Sequence, residues 1–80
     1  MLLHEAIIEV LALTGRSMGA GEIAREVNRR GLYARKDGLP VPPNQISARA
    51  NRYRDLFLKH GRMIDLAKRH VPPEPRRKAP

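Results

Sequence analysis

Apolar residues recur at three- and four-residue steps near the start of the chain, and acidic residues fall between them. The apolar positions are Leu3, Ile7, Val10 and Leu11. Glu5 and Glu9 lie on the opposite side of a helix drawn with this spacing. Such a pattern is typical of an amphipathic helix whose apolar stripe packs on a core. It predicts a first helix over about residues 2–14, which Gly15 ends.

The same period returns after a short connector and predicts a second helix over about residues 20–30. Its apolar stripe consists of Ile23 and Val27. Gly19 stands at the N-cap position, and Glu22 stands where a capping box places its carboxylate. Gly31 can adopt the left-handed conformation that ends many helices. Two helices joined by a short turn favour the start of a helix-turn-helix, with residues 16–18 long enough only for a connector or a minimal edge strand.

Turn residues separate the second helix from a third. The segment 32–43 contains the dipeptide Asp37-Gly38 followed by closely spaced prolines, which predicts a loop. Prolines tolerated in a first helical turn, together with Asn44 as a cap, then signal a helix start. The third helix is predicted over about 43–55. Its core-facing stripe runs through Ile46, Ala50, Tyr53 and Phe57.

The period of the pattern changes once more after the third helix. Alternating residues around His60-Gly61 predict a short β-hairpin over about 57–66. The predicted fold class is therefore mainly α with a small β-hairpin, a winged helix-turn-helix of three helices plus a wing. We expect this domain over residues 1–67 and a basic, Pro-rich, disordered tail over 68–80. The predicted core consists of Ile7, Leu11, Ile23, Val27, Ile46, Tyr53, Phe57, Ile64 and Leu66.

The positive charge of the chain is concentrated in its second half. The 80 residues carry a net charge of +8, from 16 Lys and Arg against 8 Asp and Glu. Basic and acidic side chains cancel over residues 1–31, whereas residues 44–70 carry seven basic side chains against two acidic ones. Such segregation indicates a polyanionic partner. The alternative is a charge excess that only keeps the protein in solution.

Several classes of function find no support in the composition. The chain has no cysteine, which excludes disulfides, cysteine-ligated zinc and cysteine nucleophiles. His4, His60 and His70 are far apart in the sequence, and no phosphate-binding glycine loop is present, so we expect no metal, no cofactor and no enzyme activity. We also expect no signal peptide and no membrane span, and hence a cytoplasmic protein, nucleoid-associated if it binds DNA.

Short stretches in a fixed order carry a family pattern. They are residues 4–11, 18–23 and 31–33 in the first half, and 37–42, 45–49, Tyr53, Phe57 and 61–66 in the second. Together they resemble the HARE-type winged helix-turn-helix domain over about residues 2–67. The resemblance implies a DNA-binding or adaptor module of the kind appended to restriction enzymes, chromatin regulators or an RNA polymerase subunit. Gly19 departs from the Ser or Thr that normally caps the second helix, which weakens the cap by about a few tenths of a kcal/mol.

The third helix and the hairpin supply the candidate binding residues. They are Asn44, Gln45, Ser47, Arg49, Asn51, Arg52 and Arg54 on the helix, and Lys59, His60 and Arg62 on the hairpin. In a helix-turn-helix such side chains contact base edges and phosphates in the major groove. The alternatives are an ordinary solvated helix face, which Asp55 favours, and a polar turn without a ligand.

These observations predict a small, non-catalytic, monomeric module for double-stranded DNA with a regulatory or accessory role. The third helix would lie in the major groove and the basic hairpin on the backbone. The alternative function is a protein–protein adaptor that docks an acidic partner in transcription or DNA-modification machinery. A structured-RNA binder is a third possibility, for which the three aromatic residues give no support. In the tail, Arg76, Arg77 and Lys78 could follow DNA as an arm, and the spacing of Pro72 and Pro75 formally matches a polyproline ligand.

Overall fold

The structure is a computed structural model that describes residues 1–67 of the chain. Its helices are α1 (Leu3–Thr14), α2 (Ala20–Arg30) and α3 (Pro43–Arg52). Its strands are β1 (Met18–Gly19), β2 (Phe57–His60) and β3 (Met63–Leu66). The predicted fold class, a winged helix-turn-helix, is confirmed. The tail predicted over 68–80 lies outside the described residues.

The hairpin forms a three-stranded antiparallel sheet with the connector between α1 and α2. The strand order is β1-β3-β2, so that β3 is central. Phe57 pairs with Leu66 at the base of the hairpin, and His60 pairs with Met63 next to its turn. Met18 pairs with Ile64 and Gly19 with Met63 on the other side of β3. The short segment before α2 is therefore the minimal edge strand, and it ties the helix-turn-helix to the wing.

The ends of α1 and α2 follow the capping signals in the sequence. The Glu22 carboxylate accepts a hydrogen bond from the Gly19 N–H at 3.1 Å, which is the backbone half of a capping box. Gly31 ends α2 with a φ of 63°, in the left-handed region that glycine enters without strain. The Leu32 N–H then donates to the Val27 carbonyl at 3.1 Å, which satisfies one of the last carbonyls of the helix.

Two predictions about α3 are wrong. Asn44 does not cap the helix, because the N-cap residue is Pro42 and Pro43 takes the first helical position, where a missing N–H costs nothing. The helix also ends at Arg52 rather than near residue 55. Tyr53 leaves the helical region (φ −111°, ψ 60°), and its carbonyl accepts hydrogen bonds from the N–H groups of Leu56 and Phe57. This turn carries the chain directly into β2.

The core lies between the three helices and the inner face of the sheet. The buried apolar residues are Leu3, Ala6, Ile7, Val10, Leu11, Met18, Ile23, Ala24, Val27, Val41, Ile46, Ala50, Phe57 and Ile64. Two predicted core residues, Tyr53 and Leu66, are only partly buried at the margin of this cluster. The ring of Tyr53 stacks on that of His4 in α1, with centroids 4.2 Å apart, and this contact holds it at the surface.

The loop before α3 is tied to α2 by one side chain. The Asn28 amide donates to the Val41 carbonyl at 3.1 Å and accepts from the Val41 N–H at 2.9 Å. Val41 is itself buried in the core. Both backbone groups of Val41 are thus satisfied, as burial requires. The position at which α3 begins is set by this pair. None of the helices in residues 1–67 is long and apolar enough to cross a membrane.

Candidate nucleic-acid interface

Three elements meet in a groove beside the tip of the hairpin. The groove has a volume of about 410 Å³. It is lined by Gly19, Ala20 and Gly21 at the start of α2, Ser47 of α3, and Lys59, Gly61, Arg62 and Ile64 of the hairpin. The pairing of Gly19 with Met63 holds the start of α2 against the hairpin turn. A Cβ at Gly19 would lie 3.9 Å from the Arg62 carbonyl oxygen, which shows how closely the two elements approach.

A second groove lies between α3 and β2. It has a volume of about 260 Å³ and is lined by Ala50, Asn51, Arg54, Phe57, Leu58 and Lys59. Ala50 and Phe57 are buried, while Asn51, Arg54 and Lys59 are exposed. Lys59 lines both grooves. The structure therefore brings five of the predicted site residues together around one strand: Ser47, Asn51, Arg54, Lys59 and Arg62.

The other five predicted residues line neither groove. Asn44 and Arg52 are exposed on α3, on the same outward side as Asn51. Gln45 and Arg49 are half-buried on a flank of the helix. His60 is exposed at the end of β2, next to the turn.

Sequence reasoning did not include the start of α2 in the site. Gly19, Ala20 and Gly21 contribute a smooth backbone wall to the larger groove. Space is open around the position that a Cβ would take at Gly21, with no heavy atom within 4 Å. The glycines around the first residue of a predicted helix were a visible signal, but only the pairing of β1 with β3 shows that this wall faces the hairpin.

Ion pairs compensate the arginines of α2 and of the loops. Arg29 and Arg30 contact the Glu26 carboxylate at 2.7 and 2.9 Å, and Arg16 contacts that of Glu22 at 3.1 Å. The hydrogen bond from Arg29, followed by that from Arg30, lowers the pKa of Glu26 from 4.5 to about 2. Arg16, followed by the Gly19 N–H, lowers the pKa of Glu22. The loop residue Arg35 pairs with Asp37 at 2.8 Å.

The cations of α3 and the hairpin have no such compensation. Within residues 1–67, none of Arg49, Arg52, Arg54, Lys59 and Arg62 forms an ion pair. Arg25 and Lys36 also lack an ion pair within that range, but they are isolated from one another. We call the surface formed by α3 and the hairpin, with its five unpaired cations, the basic face. Its charge is available to an external anion.

The described residues offer no site for metal chemistry. Residues 1–67 contain no group of three or more His, Asp or Glu side chains that could hold a metal ion. What the region around the grooves provides is hydrogen-bonding amides, a hydroxyl, cations and exposed backbone. These groups bind and position a polyanion.

Fold and surface together define a winged helix-turn-helix domain with a basic face on its third helix and its wing. The chain belongs to the HARE-HTH family, described as the HTH domain of ASXL proteins and restriction endonucleases, whose family model matches residues 1–66. This family is one of helix-turn-helix domains rather than catalytic domains. Searches of curated proteins and of solved structures find no significant match to the chain.

Proposed function

We propose that this domain is a small, non-catalytic module that binds double-stranded DNA through its basic face, with a regulatory or accessory role at the nucleoid. The observation that carries the proposal is the uneven pairing of charge. Arginines elsewhere in the domain are held by carboxylates, whereas the five cations of α3 and the hairpin are unpaired within residues 1–67. Unpaired cations on one face are what phosphate recognition requires, because phosphates dominate affinity for DNA.

The shape of the basic face fits a duplex. α3 has ten residues, which makes it about 15 Å long, and the major groove of about 12 Å admits a single helix. With α3 in that groove, Asn51 and Arg52 face the base edges on the outward side. Asn can read adenine through two hydrogen bonds, and Arg can read guanine in the same way. Asn44 and Gln45, near the start of the helix, would follow the groove floor.

The remaining groups of the basic face hold the backbone in this arrangement. Arg49 and Arg54 flank α3 and would contact phosphates on either side of the major groove. Lys59, His60 and Arg62 would place the hairpin on the adjacent backbone. The groove between Ser47, the start of α2 and the hairpin would accommodate a strand of the backbone. Contacts to phosphates position a protein without reading sequence, so we expect weak sequence selectivity.

A salt titration of binding to duplex DNA tests the proposal. If four cations hold phosphates, log affinity should fall linearly with log salt with a slope of about −3 to −4. Chemical-shift mapping on the labelled chain at low and moderate salt should confine the changes to residues 44–66 and the start of α2. Shifts centred on α1, or no binding at low salt, would contradict the proposal.

One observation favours an acidic protein as a second candidate partner for the same face. Leu58 lies beside Lys59 with 45 % of its surface exposed, and an apolar side chain contributes nothing to phosphate contacts. An acidic segment with one apolar residue would use both. An acidic peptide that displaces DNA, and binds more weakly after Leu58→Ser, would identify this adaptor function.

A further inference from the structure

An apolar groove lies at the base of the hairpin, away from the tip that carries Arg62. The groove has a volume of about 340 Å³. It is lined by Ile8 of α1, Asp55 and Leu56 in the turn after α3, and Leu66 at the end of β3. Because Leu66 pairs with Phe57 at the first residue of β2, the groove and the hairpin turn are at opposite ends of the strands. Four residues of strand, at about 3.3 Å each, separate these ends.

The side chains of this groove are large and incompletely covered. Ile8, Leu56 and Leu66 pack against the core but remain partly exposed within the described domain. The half-buried stack of His4 and Tyr53 continues the same surface, because His4 precedes Ile8 by one helical turn. A concave apolar surface left open in so small a domain is typical of a binding site, since the domain gains stability by covering such side chains.

The charge around this groove is opposite to that of the basic face. Asp55 is the one charged residue in its described lining, and no Lys or Arg of residues 1–67 lines it. Glu5 lies three residues before Ile8, so the two are neighbours on the surface of α1. Asp55 forms no ion pair with any residue in the described range. A partner for this groove therefore combines apolar side chains with positive charge.

We propose that the groove binds a cationic amphipathic segment of a protein partner. One or two bulky aliphatic side chains of the segment insert between Ile8, Leu56 and Leu66, and its Lys or Arg residues face Asp55 and Glu5. The volume is at the low end of the ~300–1,000 Å³ of ligand pockets, which suits anchor side chains rather than a whole helix. A second copy of the chain is a poor occupant, because two molecules of net charge +8 repel each other. The site is independent of DNA binding and would let the domain hold DNA and a protein at once.

A designed peptide provides the probe. It is a helix of about 15 residues, capped at both ends, with Leu along one face and Lys elsewhere, and its control has Glu in place of every Lys. We expect the Lys/Leu peptide to shift the backbone and methyl resonances of Ile8, Leu56 and Leu66 in the labelled full-length chain. The Glu/Leu peptide should bind this groove about tenfold more weakly or not at all. The net charge of the protein works against the expected result, so non-specific attraction cannot produce it.

Matched variants assign the binding to the groove. Ile8→Ala should weaken binding of the Lys/Leu peptide about tenfold, because it removes an anchor contact. Leu13→Ala changes an exposed leucine of the same helix outside the groove and should leave the affinity unchanged. Asp55→Asn, at an exposed position where folding is not at risk, should also weaken the peptide. Binding of Ile8→Ala to duplex DNA should match that of the parent, which separates this proposal from the proposed function.

Four outcomes would overturn the proposal. They are equal peptide affinity in Ile8→Ala and Leu13→Ala, shifts that centre on α3 and the hairpin, no binding of the Lys/Leu peptide at millimolar concentration, and a concentration-dependent dimer whose interface is this groove. The last result would make a second copy the occupant.

Discussion

Phe57 is the residue on which the junction of α3 with the sheet depends most. It is 3 % exposed at the first position of β2, while its neighbour Leu58 is 45 % exposed on the same strand. Phe57→Ala should lower the free energy of unfolding by about 3–5 kcal/mol, because a large buried ring leaves a cavity. Leu58→Ala should change it by less than about 0.5 kcal/mol. Urea denaturation of both variants measures the difference, and equal stability would remove Phe57 from the core.

Glu26 makes one contribution to stability that depends on pH. Its pKa falls from 4.5 to about 2 because Arg29 and Arg30 hold its ionised form in the folded state. A lowered folded pKa means that the contribution is fully present above about pH 4.5 and is lost as the pH falls towards 2. Since the pair is at the surface, the effect is small. The melting temperature of Glu26→Gln should be below that of the parent near neutral pH and should converge with it in acid; a gap that persists in acid would contradict this.

At the scale of elements, α3 and the hairpin are expected to divide two tasks between them. Arg62→Ala should weaken DNA binding equally on all sequences and flatten the salt slope by about one, as the loss of one phosphate contact requires. Asn51→Ala should instead change sequence preference, at about 1–3 kcal/mol for a contact to adenine. Fluorescence anisotropy on a panel of duplexes measures both, with Leu13→Ala as the control. Identical profiles for the two variants would refute the division.

Most of the elements were predictable from the sequence because their signals are local. The apolar periods of α1 and α2, the glycines that end them and the alternation around Gly61 all lie within the elements they specify. The end of α3 depends instead on a contact with another helix. The stacking of Tyr53 on His4 accompanies its departure from helical geometry, and no local pattern contains that pair.

The candidate site was predictable in composition but not in arrangement. The cations of α3 and the hairpin are visible in the sequence as a charge imbalance. Which of them share a groove follows from strand pairing, because the register of β2 with β3 points Lys59 to the same side as the buried Phe57 and Ile64. The contribution of the start of α2 depends on a strand of two residues, which is too short to leave a period in the sequence.

For the whole molecule we expect a monomer. The net charge of +8 opposes self-association, and the apolar groove at the hairpin base, within the described residues, has a volume of only about 340 Å³. Sedimentation equilibrium should therefore return a mass near 9.1 kDa at every concentration. A stable dimer would contradict this expectation and would favour a DNA-binding mode with two half-sites.

The Asn28–Val41 pair has a consequence for altering the chain. One amide of α2 fixes the residue just before α3 through two hydrogen bonds, so the entry of the third helix does not rely on the length of the preceding loop. Residues 34–40 are exposed apart from Arg35, and between the two anchored ends they form a natural place to insert a reporter peptide. A tag placed after Gly38 would mark the protein without touching either the groove at the hairpin tip or the one at the hairpin base.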